Sequence, residues 1–252
     1  MLESTFGDLS ERHRKGITLS GEDRMIAQME ILNDVEHRAL RMRADPGEPC
    51  PHFVFIVINE FPVAASACPI FFAKDPANGE FYAAALFGFE PGELLVEGAQ
   101  TNDNLFQPLD LQRRGFFTAE ENIAVDTAHP RFGSGASLAL FENDGAPSGT
   151  LRKIQRVLGE LTAGIDATRT FIKELLRLKL IEPIDVSLQF DDGKRLTLDG
   201  LYTVGRDGLN DLADDEVLDL YRKGYLQAAM CMTFSLNQIA VLARRRNDRL
   251  TA

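Results

Sequence analysis

A repeated apolar spacing over residues 151–175 constrains the fold of this chain more than any other feature. Its members recur at alternating steps of three and four: Leu151, Ile154, Leu158, Leu161, Ile165, Thr168, Ile172 and Leu175. This spacing predicts a long amphipathic helix that ends at Pro183. Val157, Phe171 and Leu176 widen the apolar face beyond a coiled-coil stripe. Packing on the chain's own strands is therefore favoured over docking of a partner helix.

Short apolar runs separated by turn residues predict strands before this helix. They lie at residues 40–42, 53–58, 69–73, 81–87, 94–96, 115–118, 123–125 and 138–141. The segment KDPANG at 74–79 joins two of these runs, and its Asn78-Gly79 pair suits a hairpin turn because it tolerates positive φ. Apolar residues at helical spacing between Gly21 and about Val35 predict a helix near the N-terminus.

A hairpin and further helices are predicted after the long helix. Strand patterns at Ile184–Phe190 and Arg195–Val204 are joined by Asp191-Asp192-Gly193, a strong hairpin signal. An acidic N-cap at Asp214 or Asp215 predicts a short helix. An apolar last helix is expected from residue 225 to about residue 246.

These elements predict one α+β domain spanning residues 1–252. It would comprise an N-terminal arm and helix (1–52), a strand-rich, mainly antiparallel half (53–148), and a third part (149–252). In that third part the long helix, the β-hairpin and the C-terminal helices would pack on the strands.

Charge and composition exclude some classes of function. The net charge of −11 disfavours nucleic-acid binding, which needs a positive field around phosphates. Three cysteines do not suggest a disulfide framework, and the polar N-terminus lacks the apolar core of a secretory signal. We therefore expect an acidic, soluble, cytoplasmic protein, with surface association left open. The apolar run at 225–243 is interpreted as a buried helix rather than a membrane span, since polar residues interrupt it.

The most specific motif is FPVAASACPIFFAKDPANGEFYAAALFGFEPGELLV at 61–96. Its phrases PIFF, KD, GEF and ALFGFEPGE, in this order, resemble the signature of the bacterial SapC family, whose name is tied to surface-layer proteins. RRGFF at 113–117 and GLYTV at 200–204 extend the resemblance to roughly residues 53–245. Where Cys68 and Gly115 stand, the family usually has aromatic residues. The resemblance implies a bacterial accessory protein and supplies no set of catalytic residues.

Metal and catalytic signatures are missing from the sequence. The histidines lack the local spacing of metal ligands, and Cys50-Pro51-His52 is better explained as a turn. Cys68 and Cys231 lie in apolar segments typical of buried thiols. Ser134 lacks the full nucleophile-elbow motif. We expect no catalytic residue, no metal and no cofactor such as haem or flavin.

Two segments are candidates for ligand binding. Lys74 and Asp75 place opposite charges at the predicted hairpin; the alternative is that they serve only the turn. Arg113 and Arg114 stand beside an aromatic pair, and two guanidinium groups can hold a carboxylate or phosphate. That aromatic pair is Phe116 and Phe117. The alternative is that both arginines are solvated and both rings are core.

Three functions remain open from the sequence. The first is an accessory binding protein, non-catalytic, whose partner is a small acidic metabolite or a protein. The second is an enzyme whose site is assembled from dispersed residues, and the third is a structural surface-layer component. The sequence does not predict the oligomeric state.

Overall fold

The structure is a computed structural model and describes residues 29–45, 49–96 and 106–250. Its elements in chain order are β1 (Met29–Ile31), β2 (Arg41–Met42), β3 (Phe53–Phe55), α1 (Phe61–Ala67), β4 (Ile70–Lys74), β5 (Phe81–Leu86), α2 (Leu109–Gln112), β6 (Phe116–Ala119), β7 (Asn122–Asp126), β8 (Leu138–Ala139), α3 (Gly149–Arg177), β9 (Ile181–Gln189), β10 (Arg195–Val204), α4 (Arg206–Asn210), α5 (Asp214–Arg222), α6 (Tyr225–Ser235) and α7 (Gln238–Leu250). The named strand pairs are antiparallel, and the α+β class is confirmed.

The chain forms two compact units. The first contains the described parts of Met1–Cys50 and Leu109–Ala163, and the second those of Pro51–Pro108 and Gly164–Ala252. Helix α3 contributes residues to both units, because the boundary falls within it. Whether the two units unfold as the single predicted domain stays a prediction.

The first unit is built on two small sheets, with strand orders β1-β7-β6 and β2-β8. Its core combines side chains of these strands with the first turns of α3 and comprises Met42, Phe116, Val125, Leu140, Phe141, Leu151, Ile154 and Leu158. Burial of these side chains is the main stabilising contribution, since each is worth roughly 1.5–3 kcal/mol.

The second unit is built on a five-stranded sheet with the order β3-β5-β4-β10-β9. Helices cover the face that carries Phe72, whose ring lies 6.2 Å from Phe171 of α3. Phe171 also packs against Phe61 of α1 and Tyr225 of α6, at 6.1 and 5.3 Å. These aromatic contacts fix three helices on one side of the sheet.

The predicted helix over 151–175 is confirmed, with two differences. Most of its predicted apolar face is buried, but Leu176 is 46% exposed. The helix ends at Arg177 rather than at Pro183, because Lys179 takes a left-handed conformation with φ 56°. Pro183 instead lies in β9, an edge strand, where a missing N–H is tolerated.

Other sequence predictions are wrong within the described residues. The N-cap of α5 is Ala213 rather than Asp214 or Asp215, and the predicted last helix is divided into α6 and α7. The segment expected to be helical up to Val35 contains strand β1, which pairs with β7; residues 21–28 of that prediction lie outside the described ranges. Leu94–Val96 is not a strand. Arg249 and Arg245 donate to the carbonyl oxygens of Leu94 and Leu95, at 2.6 and 3.1 Å.

By length and composition alone, Tyr225–Leu250 passes the test for a membrane-crossing helix, because its most apolar 18-residue window has a mean hydropathy of 1.4. A third of its most apolar window is buried, and a turn at residues 236–237 separates α6 from α7. The same test is passed by core helices of soluble proteins, so the sequence expectation of no membrane span stays a prediction.

Candidate functional site

Lys74 lies at the end of β4 and rests on two aromatic rings. Its Nζ atom is 5.1 Å from the ring centre of Phe81 and 5.0 Å from that of Tyr202. The two rings meet edge to face at 4.9 Å. Lys74 is exposed, and no carboxylate of the described residues forms an ion pair with it. The result is an oriented ammonium group with donors left for an anion.

Asp75 closes the predicted hairpin turn. Its carboxylate accepts the N–H of Ala77 at 2.9 Å and the side-chain amide of Asn78, and its carbonyl accepts the N–H of Gly79. Gly79 has φ 71°, as the turn chemistry predicted. Asp75 is 1% exposed, so its carboxylate serves the turn.

Arg113 is paired within the first unit. Its Nε and Nη2 atoms donate to the same carboxylate oxygen of Asp110, at 3.0 and 2.7 Å. Both side chains are nearly buried, and the guanidinium lies 5.4 Å from the ring of Phe117. This pairing offsets the charge of Arg113 locally.

Arg114 and Phe116 have different surroundings. Arg114 donates to the carbonyl of Pro49 at 3.4 Å. Phe116 is fully buried and packs edge to face on Phe132 at 5.3 Å. The Lys74–Asp75 hairpin belongs to the second unit, whereas this segment belongs to the first. The six residues predicted for ligand binding are thus divided between two units, and their joint role stays a prediction.

Arg131 organises the arginine segment and was missed by the sequence interpretation. It is buried and donates to the carbonyl oxygens of Gln112, Arg114 and Arg43, at 2.6, 3.0 and 3.4 Å. Its guanidinium lies 5.9 Å from the ring of Phe116, and burial lowers its pKa to about 10. Backbone carbonyls leave no sequence signal, so this role was not predictable.

The structure explains why a glycine stands at position 115. Its φ is 82°, in the left-handed region. A Cβ atom there would lie 2.9 Å from the ring of Phe132 and 3.3 Å from that of His129. These two rings occupy the space that a side chain at position 115 would need.

The turn in ALFGFEPGE fastens the last helix. Arg246 of α7 contacts Glu90 at 2.7 Å and Glu93 at 3.4 Å, and its guanidinium lies 4.2 Å from the ring of Phe190. A Cβ at Gly88 would lie 2.1 Å from the carbonyl oxygen of Glu93, so only glycine fits. The most recognisable motif of the sequence therefore has a structural role.

The thiols are not activated. Burial raises the pKa of Cys50 to about 11, although Arg114 opposes this, and burial also raises the pKa of Cys68 and of Cys231. A raised pKa suppresses the thiolate, which is the nucleophile. In the parts of the chain that the structure describes, no group of three His, Cys, Asp or Glu side chains is arranged to hold a metal ion.

Sequence reasoning found Lys74 but not the rings that hold it. The contact with Phe81 was predictable from the sequence, because Phe81 is the cross-strand partner of Lys74 in a recognisable hairpin. Tyr202 was not, since its strand lies far along the chain and no local pattern specifies its pairing with β4.

Comparison with known protein families assigns the chain to a family. The family described as SapC matches residues 32–242, most of the chain. No curated protein and no solved structure matches this chain. The residues that carry the resemblance build the β4–β5 hairpin, the turn that Arg246 holds, and strand β10. The chain therefore belongs to the SapC family.

Proposed function

We propose that this SapC family protein is a non-catalytic accessory protein that binds an acidic ligand at Lys74, Phe81 and Tyr202, the Lys74 site. The observation that carries the proposal is the exposed ammonium of Lys74, about 5 Å from two ring centres and without an ion-pair partner among the described residues. The ligand class is a small molecule or protein segment with a carboxylate or phosphate group.

The rings make Lys74 a better anchor than an ordinary surface lysine. A free lysine loses up to about 2 kcal/mol of side-chain entropy when a ligand fixes it. Contact with Phe81 and Tyr202 has already restricted the side chain, so less entropy is lost on binding. Local attraction is also needed, because the net charge of −11 repels anions at long range.

The surroundings of the other groups support a binding role over catalysis. Arg113 is occupied by Asp110, and Arg131 is occupied by backbone carbonyls. Each of the three thiols has a raised pKa. Lys74 thus stands out among the candidate groups because its chemistry is available to an external molecule. A cytoplasmic location and the absence of a membrane span are part of the proposal, and cell fractionation tests both.

The experiment is NMR of protein whose lysines carry ¹³C-methyl groups, a modification that keeps the charge. The Lys74 signal should be displaced upfield by the two rings and should shift saturably with malonate or inorganic phosphate. Lys74→Gln should weaken binding by about threefold or more, as expected for an exposed charged contact. Lys153→Gln, at an exposed position on α3, is the matched control and should bind normally.

Circular dichroism of both variants checks that the fold is intact. A Lys74 signal that does not respond to either anion would contradict the proposal. So would equal affinities of Lys74→Gln and the unmodified chain.

A further inference from the structure

The hairpin β9–β10 curls across one face of the five-stranded sheet. Leu201 pairs with Ala73, so a straight β10 would carry its hairpin tip far beyond the Lys74 end of the sheet. The ring of Phe190 at that tip nevertheless lies 5.7 Å from Phe89, which follows β5 at the opposite end. The register shift after Leu198 supplies the bend, since β-bulges bend and twist a strand.

The curled hairpin encloses the face opposite the Lys74 site. Leu198 and Val186 are buried on its inner side, whereas Thr197 and Asp185 are exposed on its outer side. Leu201 shares the inner side with Leu198, because their partners on β9 are two residues apart. The enclosed face is therefore the one that carries Leu201.

Two hydroxyl groups on the enclosed face have no hydrogen-bond partner among the described residues. Tyr82 is the cross-strand neighbour of Ala73, and Thr203 lies two residues after Leu201, so both point to the Leu201 face. Tyr82 is 6% and Thr203 4% exposed. Within the described residues, Tyr82 Oη and Thr203 Oγ1 are the buried side-chain polar atoms that lack a hydrogen bond. Leaving such groups unsatisfied is costly, so each calls for an explanation.

The surroundings of the two hydroxyls are apolar and partly small. Ala73 and Ala84 flank Tyr82 on this face, and the ring of Phe55 lies 6.4 Å from the tyrosine ring. Burial, together with the Asp75 carboxylate, raises the pKa of Tyr82, so its hydroxyl stays protonated. The same burial and the same negative charge disfavour an anionic ligand here.

We infer that the sheet face under the curled hairpin, the inner-face site, binds a small uncharged molecule through the hydroxyl of Tyr82, of Thr203 or of both. The ligand would combine an apolar body with one hydroxyl or carbonyl group. The inference does not depend on the Lys74 site, which lies on the other face, because side chains alternate along β4.

Benzyl alcohol, toluene and benzoate are three probes of similar size that test this inference by calorimetry and thermal unfolding. Benzyl alcohol should bind saturably, raise the unfolding temperature and bind more tightly than toluene and benzoate by about fivefold or more. In Tyr82→Phe/Thr203→Val the preference over toluene should disappear. The control Tyr221→Phe/Thr197→Val changes exposed residues of the same types and should behave like the unmodified chain.

Thermal unfolding without a probe separates the inference from its alternatives. We expect Tyr82→Phe/Thr203→Val to be at least as stable as the unmodified chain, because two unsatisfied groups are removed. Two results together would overturn the inference: the unmodified chain does not bind benzyl alcohol, and the double variant is less stable than the unmodified chain. They would show that the two hydroxyls bind ordered water only. Equal affinities for benzyl alcohol and toluene would also overturn it. Lys74→Gln should leave benzyl alcohol binding unchanged, so the two proposals fail separately.

Discussion

Replacing Gly164 by alanine should destabilise the protein, although alanine is the better helix former. Gly164 lies in α3, where a Cβ atom would come within 2.5 Å of Cγ2 and 2.7 Å of Cβ of Val57. Favourable carbon–carbon contacts lie near 3.5–4.0 Å, so about 1 Å of movement is required. Val57 is fully buried and has a β-branched side chain with few rotamers, so it cannot easily move away.

The helix cannot easily shift away either. Thr168 of α3 accepts the N–H of Ile58 at 2.8 Å and donates to the carbonyl of Gly164 at 2.6 Å. Overpacking of this kind costs about 1–3 kcal/mol. The higher helix propensity of alanine offsets roughly 0.5–1 kcal/mol of this cost. The expected net loss of unfolding free energy is therefore up to about 2.5 kcal/mol.

Gly159 in the same helix provides a matched control. A Cβ at Gly159 meets no atom within 4 Å, so Gly159→Ala should stabilise by roughly 0.5–1 kcal/mol. Urea unfolding followed by circular dichroism measures both variants. A second test adds Val57→Ala, which removes the overlap with the new methyl group. Its loss of unfolding free energy should be at least about 1 kcal/mol smaller in the Gly164→Ala variant than in the unmodified chain. If Gly164→Ala proves as stable as Gly159→Ala, the close approach of helix and turn is refuted.

Two further predictions concern the core and the thiols. Leu161→Ala should lower the unfolding free energy by about 2–5 kcal/mol, because Leu161 is buried on α3, and urea unfolding that shows a change below roughly 0.5 kcal/mol would reject core placement. Cys50 should react with iodoacetamide with a rate that keeps rising toward pH 11, because burial raises its pKa from 9.0 to about 11. Between pH 9.0 and about pH 11 the Cys50 thiol therefore stays protonated in the folded state and ionises in the unfolded state. The free energy of unfolding consequently falls as the pH rises through this range. Mass spectrometry that finds a plateau at pH 9 would contradict the raised pKa.

Periodicity predicted the elements whose burial pattern is long and regular. The helix over 151–175 and strand β10 were identified because many residues of each share one spacing. The helix Phe61–Ala67 was missed, since it is short and lies within a run that is apolar throughout. Around Met29 the apolar spacing suggested a helix, but pairing with β7 made a strand, which is a tertiary effect on a weak local preference.

The candidate site was only partly predictable, because charge availability depends on distant partners. Lys74 and Arg113 are similar candidates in the sequence, each beside aromatic residues. The structure separates them: Arg113 is neutralised by Asp110, three residues before it, whereas Lys74 gains the ring of Tyr202 from a strand far along the chain. The spacing of Asp110 and Arg113 on one helical turn was a usable signal. No local pattern indicated Tyr202.

The residues that made the family recognisable therefore inform mainly on the fold. Gly88 and Glu93 form the turn that Arg246 fastens, and Asp75 closes its hairpin. Their hydrogen bonds and charges are satisfied inside the chain, which leaves them little chemistry for a ligand. Function should instead be sought where interactions are incomplete. In the second unit these places are the ring-supported ammonium of Lys74 and the unpartnered hydroxyl of Tyr82, on opposite faces of one sheet.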